Sequence, residues 1–196
     1  HIYADYFDDN STFDIALSKV SKNGDLLPVR GKECSSQQTP FINTKLKTYR
    51  EFAAATLPDI YGQTKLNNAT HYESFNFKSV ILRNTGNSNF KIEDLTQRAQ
   101  FSPILSTIIY DINNDGNLDI FGVGTINASE VETIRYDASK GFVLTGNQEG
   151  QYQFYHDTSY FNNKEATSIN RITINNTVHF IILNKNDTLK LLRLKP

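Results

Sequence analysis

The sequence predicts an all-β fold of antiparallel sheets with one short inserted helix, and three observations carry that expectation. First, turn-forming asparagines repeatedly separate short apolar runs. Second, 10 Tyr and 13 Phe accompany abundant Asn and scattered Gly, a composition suited to half-buried strands joined by tight turns. Third, only one stretch has the signature of a helix. In chain order, Ile15–Val20 runs into Lys22-Asn23-Gly24-Asp25 and out through Leu26–Val29, and an Asn-Gly pair between apolar runs marks a hairpin. At the C-terminal end Arg171–Ile174, Val178–Leu183 and Leu189–Leu194 alternate with turns at Asn175-Asn176 and Asn186-Asp187, which predicts a three-strand meander. The exception is Thr48-Tyr49-Arg50-Glu51, a capping box followed by Phe52–Leu57, with Pro58 or Gly62 as its limit. A helix is expected from Thr48 to about Leu57, inside an excursion spanning about 30–66.

A chain of 196 residues can bury enough apolar surface to fold without disulfides, and no linker or block of like charge divides it. One domain over 1–196 is the expectation. The net charge of −1 offers no basic footprint for nucleic acid. No apolar run is long enough to span a bilayer as a helix. With no Met and a His at position 1, the chain reads as a processed or excised piece of a longer protein. The lone Cys34 cannot form an intramolecular disulfide and reads as a small buried core residue.

The motif with chemistry in it is Asp111-Ile112-Asn113-Asn114-Asp115-Gly116-Asn117-Leu118-Asp119. It places oxygen side chains at positions 1, 3, 5 and 9, a Gly at the sharp turn of position 6, and the Asn117 carbonyl at position 7. That spacing wraps hard oxygen ligands around one point, as calcium requires. Asp111, Asn113, Asp115, Asn117 and Asp119 are therefore the expected metal ligands, and Ca2+ the expected ion. Magnesium demands a more compact octahedron, and zinc is disfavoured because the loop has no His or Cys. An EF-hand is excluded by Gly122 at position 12 and by the flanks Ser106–Tyr110 and Ile120–Gly124, which read as strands. The bland alternative is an Asn/Asp-rich turn that holds no ion.

Together with Val80–Phe90, in which an apolar strand leads through Asn84-Thr85-Gly86 to a Phe-containing strand, this loop resembles the FG-GAP/VCBS repeat. The stretch Pro28–Phe41 with the following helix narrows the resemblance to secreted bacterial proteins of the ASPIC/UnbV and cartilage-acidic-protein group. The resemblance implies a partial β-propeller of about three antiparallel blade-like sheets. These would form an open arc, or a ring completed by homo-oligomerisation or by the rest of a longer chain. It also implies a secreted or cell-surface location, extracellular or periplasmic, and a protein or glycan ligand. Ala4–Asp9 to Asp14-Ile15 looks like a decayed copy of the same loop: it lacks the Gly, Asp5 to Asp14 is one residue longer than Asp111 to Asp119, and no metal is expected there.

Motifs for nucleophilic, metalloprotease, redox and phosphate-binding chemistry are absent. His71, His156 and His179 occur singly, without metal-ligand spacing. Glu93/Asp94 and Glu130/Glu132 are conceivable acid–base pairs, but solvated loop charges are the far commoner reading of such pairs. Tyr152, Phe154, Tyr155, Tyr160 and Phe161 suit either a sugar-stacking platform or a strand core. The expected function is a non-enzymatic, calcium-binding propeller segment that binds protein or glycan. The alternatives are a fragment of a carbohydrate-active propeller enzyme, such as a polysaccharide lyase, and a passive structural domain.

Overall fold

The computed structural model describes residues 1–8, 10–129 and 133–194. The chain divides into two compact units, His1–Phe77 and Lys78–Pro196. About 37% of the described residues lie in strands and 19% in helices. Among the described residues all strand pairings are antiparallel, and the four sheets contain four, four, three and two strands with no closed barrel among them. Three sheets thus have blade-like width, and the fourth is a two-stranded ribbon.

In the first unit, β1 (Ile2–Asp5), β2 (Asp14–Val20) and β3 (Leu26–Pro28) precede α1 (Lys32–Gln38), α2 (Phe41–Lys45), α3 (Tyr49–Ala54), α4 (Leu57–Tyr61) and α5 (Gln63–Asn68). The chain then returns as β4 (Thr70–Tyr72) and completes a sheet of order β3-β2-β1-β4. The expected hairpin at Asn23-Gly24 is present, with the Ser21 hydroxyl accepting the Asn23 and Asp25 amides. The single inserted helix is corrected to five short ones. Thr48 and Glu51 do form a reciprocal capping box, but α3 ends at Ala54 because a second box starts immediately. There the Thr56 hydroxyl accepts the Asp59 amide, and the Asp59 carboxylate accepts the Thr56 amide at 2.8 Å. Pro58 therefore sits in the first turn of α4, where its missing N–H costs nothing, rather than terminating α3. The helices pack their apolar sides as two clusters, Ile42/Phe52/Ala55/Ile60 and, with the sheet, Tyr3/Phe7/Ala16/Leu57/Leu66. Cys34, expected to be buried, is only half-buried in α1.

In the second unit, β5 (Val80–Gly86) and β6 (Asn89–Asp94) form the ribbon. Its turn lies at Asn87-Ser88, both with positive φ, one step beyond the expected Asn84–Gly86, where the strand instead carries a bulge. Next come β7 (Ser106–Tyr110), β8 (Asp119–Val123), β9 (Phe142–Gly146) and β10 (Tyr152–Phe154), ordered β10-β9-β8-β7. The expected C-terminal meander is formed by β11 (Ala166–Ile174), β12 (Thr177–Asn184) and β13 (Lys190–Arg193). Asn175 and Asn176 both take positive φ, as a tight hairpin with the right-handed twist of its strands requires. Every residue of β8 is buried, since its two faces join different clusters. Phe121 and Val123 pack with Val143, Ile169, Phe180 and Ile182, while Ile120 packs with Ala99, Phe142 and Leu144. The Asp loop is thus anchored on the most buried strand of its sheet. Among the described residues no helix is long and apolar enough to cross a membrane.

Candidate functional site

The loop joins β7 to β8, so its flanks are strands as expected, and the Tyr110↔Asp119 pair closes it. The loop's shape is set by side-chain oxygens that accept its own backbone amides. Asp111 Oδ1 accepts the Asp115 amide at 3.1 Å, and Oδ2 accepts the Gly116 amide at 2.9 Å. Asn113 Oδ1 accepts the Asp115 amide at 3.1 Å, while its Nδ2 donates to Asp115 Oδ2 at 2.8 Å. Asp115 Oδ1 takes the Asn117 amide and the Asn117 Nδ2 at 2.8 and 3.0 Å. These bonds favour the charged carboxylate, and the Asn117 amide, followed by Asn113, holds the Asp115 pKa below the ordinary aspartate value. Asn114 and Gly116 have φ of 58° and 85°, so the chain turns sharply twice within three residues.

Asp119 differs from the other ligand candidates. It is fully buried, with Oδ2 accepting the Ile112 amide at 2.8 Å and Oδ1 the Gly146 amide at 2.9 Å. Its carboxylate fastens the loop to β9 and is closed off from solvent. Asp111, Asn113 and Asp115 are brought together at the open side of the loop. A cation there needs the Asn113 oxygen and both aspartates, so the Asn113 Nδ2–Asp115 contact has to open for an ion to enter.

The same hydrogen-bond pattern recurs between β1 and β2. Asp14, also buried, accepts the Phe7 amide at 3.1 Å, seven residues back, just as Asp119 accepts that of Ile112. The strand pair closing this loop is Asp5↔Asp14, which matches Tyr110↔Asp119. Tyr6, not Asp5, therefore corresponds to Asp111, and the two loops are equal in length, correcting the one-residue difference read from the sequence. Asn10 Oδ1 accepts the Thr12 amide at 2.7 Å where Asp115 Oδ1 accepts that of Asn117. Ser11, with φ of 67°, stands where Gly116 does. Burial pushes the Asp14 pKa up, opposed by the Phe7 amide.

Among the described residues, the remaining sequence candidates do not assemble into catalytic groups. Glu93 pairs with Arg83 and, at 3.0 Å, with Lys91, and its hydrogen bond to Arg83 holds its pKa below the usual range. Asp94 pairs with Lys78. Glu130 and Glu132 lie outside the described residues. Tyr155 and Tyr160 pack on the Phe121 cluster, and Tyr152 and Phe154 on the Leu144 cluster, so four of the five candidate platform aromatics serve the core. The His179 ring lies 3.0 Å from the Thr177 carbonyl, and His156 packs edge-on against Phe154.

His71 is not isolated. Its ring meets those of His1 and Tyr3, and His1, His71 and Glu73 each offer one ligand atom within 4.8 Å of the other two. Among the described residues this is the one such gathering of three His, Cys, Asp or Glu groups. The sequence concealed it because His1 is remote in the chain; the only local signal is His71-x-Glu73, the spacing that puts two side chains on one face of a strand. Compared with family models, curated proteins and solved structures, the chain finds no match.

Proposed function

We propose that the chain is a non-enzymatic, calcium-binding segment of a β-propeller scaffold related to FG-GAP/VCBS repeats, which presents a protein- or glycan-binding surface on a secreted or cell-surface protein. The observation that carries this reading is the paired strand–loop–strand unit: two four-stranded antiparallel sheets each contain a loop closed by a buried aspartate in the same register. A scaffold assembled from repeated units has this property, and in one copy the loop also bears oxygen side chains at positions 1, 3, 5 and 9, a spacing that suits calcium. Asp111, Asn113 and Asp115 supply the accessible ligands, Asn117 its carbonyl, and Asp119 the base of the site. The absence of a free acid–base pair at Glu93/Asp94, both engaged with cations, favours binding over the polysaccharide-cleaving alternative.

Thermal melts in EDTA and in millimolar calcium test the metal half of the proposal. At a hundredfold excess over its dissociation constant, calcium should add about 2.7 kcal/mol of stability. A wild-type midpoint indifferent to calcium overturns it. Turnover on a polysaccharide panel tests the other half, and cleavage lost on neutralising one carboxylate outside residues 111–119 establishes the enzyme instead.

A further inference from the structure

β1 and β4 are antiparallel neighbours with Ile2 opposite Tyr72 and Tyr3 opposite His71. One step further along this register, His1 comes opposite Glu73. Side chains alternate between the faces of a strand, so His1, Tyr3, His71 and Glu73 share one face while Ile2 and Tyr72 take the other. The ladder fixes His1 on its second side as well: its backbone nitrogen donates to the Ser18 carbonyl, and its carbonyl accepts the Ser18 amide, each at 2.9 Å. Tyr3 is nearly buried and stacks on the His71 ring at 4.3 Å and 7°, limiting its rotation. The His1 ring lies parallel to that of His71 at 5.2 Å. Both imidazoles are thereby held by strand pairing and stacking.

Their outer atoms converge. His1 Nδ1 lies 2.9 Å from His71 Nε2 and 3.3 Å from Glu73 Oε2. Two imidazole nitrogens at that separation share a proton, and a metal ion is the other species able to bridge them. Ligands placed tetrahedrally at about 2.0–2.1 Å from zinc are separated from each other by about 3.3 Å. Both separations from His1 are therefore within a few tenths of an ångström of those needed, and the His71 and Glu73 atoms lie within 4.8 Å of each other. Two nitrogens and one carboxylate oxygen suit zinc and its neighbours in the first transition row, and are too nitrogen-rich for calcium or magnesium.

We propose that His1, His71 and Glu73 form a binding site for a zinc-class dication, distinct from the aspartate loop, with a fourth position left to water or a ligand.

The test is a titration of the whole chain with Co2+ alone, followed by visible absorption, and then displacement by Zn2+. The expected result is one equivalent of cobalt with the intense bands of a four-coordinate ion, displaced stoichiometrically by zinc. Loss of an outer-shell partner already costs about 10–100-fold in metal affinity, so His71→Ala should cost at least about 100-fold, and Glu73→Gln about 10-fold. Midpoints in EDTA check that both variants fold, and the exposed Glu73→Gln carries the test if His71→Ala does not. Asp115→Ala should leave the cobalt spectrum unchanged, and His71→Ala should leave any calcium response unchanged, so the two metal proposals fail separately. A wild-type chain that takes up no cobalt, or variants that bind it as tightly as wild type, reduces the cluster to a hydrogen-bonded surface pair and overturns the site.

Discussion

Between β1 and β2, Asp14 reaches back to the Phe7 amide, and Ser11 makes the turn with Asn10 supplying the oxygen that holds it. Between β7 and β8, Asp119 reaches back to Ile112, and Gly116 makes the turn with Asp115 in the role of Asn10. At the described positions the hydrogen bonds and the turn match while the charges do not: Tyr6 and Asn10 stand where Asp111 and Asp115 do. The difference separates two functions within one loop. A buried aspartate at the start of the second strand, together with a left-handed residue three positions earlier, builds the frame. Carboxylates at the first and fifth positions are what the proposed calcium site adds to that frame.

If the frame rests on the closing aspartate, its removal is the most damaging change. Asp119→Ala strips the acceptor from two amides, those of Ile112 and Gly146, at a site with no exposure to water. Each buried donor left unpaired costs about 1–3 kcal/mol, so a total loss of about 2–6 kcal/mol is expected. Asp14→Ala removes the acceptor of the Phe7 amide and should cost about 1–3 kcal/mol. Urea unfolding in EDTA, followed by the fluorescence of the chain's 10 tyrosines in the absence of Trp, measures both. Equal losses below about 1 kcal/mol would show that the frame is held by strand pairing alone.

The cation capacity is the next largest effect. Asp115→Ala should abolish most of the calcium-dependent stabilisation of about 2.7 kcal/mol while changing the EDTA midpoint far less than Asp119→Ala does. The converse experiment is sharper. Tyr6→Asp combined with Asn10→Asp restores the missing carboxylates in the first loop and should raise the calcium stoichiometry from one to two in equilibrium dialysis. An unchanged stoichiometry would mean that the matching backbones do not define equivalent ligand positions.

The two loops should also respond oppositely to pH. Burial raises the Asp14 pKa, so its contribution is greatest below the ordinary aspartate value and is lost as pH rises through the raised one. The Asn117 amide lowers the Asp115 pKa, so its contribution is present above the ordinary value and is lost as pH falls through the lowered one. Stability measured in EDTA across the acid range should therefore lose part of its rising-pH decline in Asp14→Asn, and part of its acid-side decline in Asp115→Asn. Identical profiles for the two variants would refute the assignment.

What the sequence made legible follows from how local each determinant is. The β7–loop–β8 unit, the Asn23-Gly24 hairpin and the Asn175-Asn176 turn depend on residues within a few positions of each other, and all three are present. The helical segment misleads in the sequence because Asp59 serves as the capping acid after Thr56, where Pro58 looks like a stop. The first loop aligns one residue out in the sequence because register fixes its closing pair, and register depends on strand pairing that Asp5 and Asp14 do not advertise. The His1/His71/Glu73 cluster needed β4 to return to β1 across all five helices, a non-local pairing with no sequence period to announce it.

The smallest expected effect is the most specific to the shared backbone. Ser11 adopts a φ of 67° and Gly116 one of 85°, in the left-handed region that disfavours a side chain. A Cβ at Gly116 meets no atom within 4 Å, so Gly116→Ala carries only the conformational cost of about 1 kcal/mol, without a clash to obscure it. Ser11 already bears that cost. Ser11→Gly should therefore relieve it, less the extra entropy that glycine gives the unfolded chain, for a net gain of about 0.5 kcal/mol. Opposite shifts in midpoint for the two substitutions, one down and one slightly up, are expected in EDTA. A loss from Ser11→Gly would show that the Ser11 side chain contributes more than its backbone strain removes, and that the first loop is held by contacts its counterpart lacks.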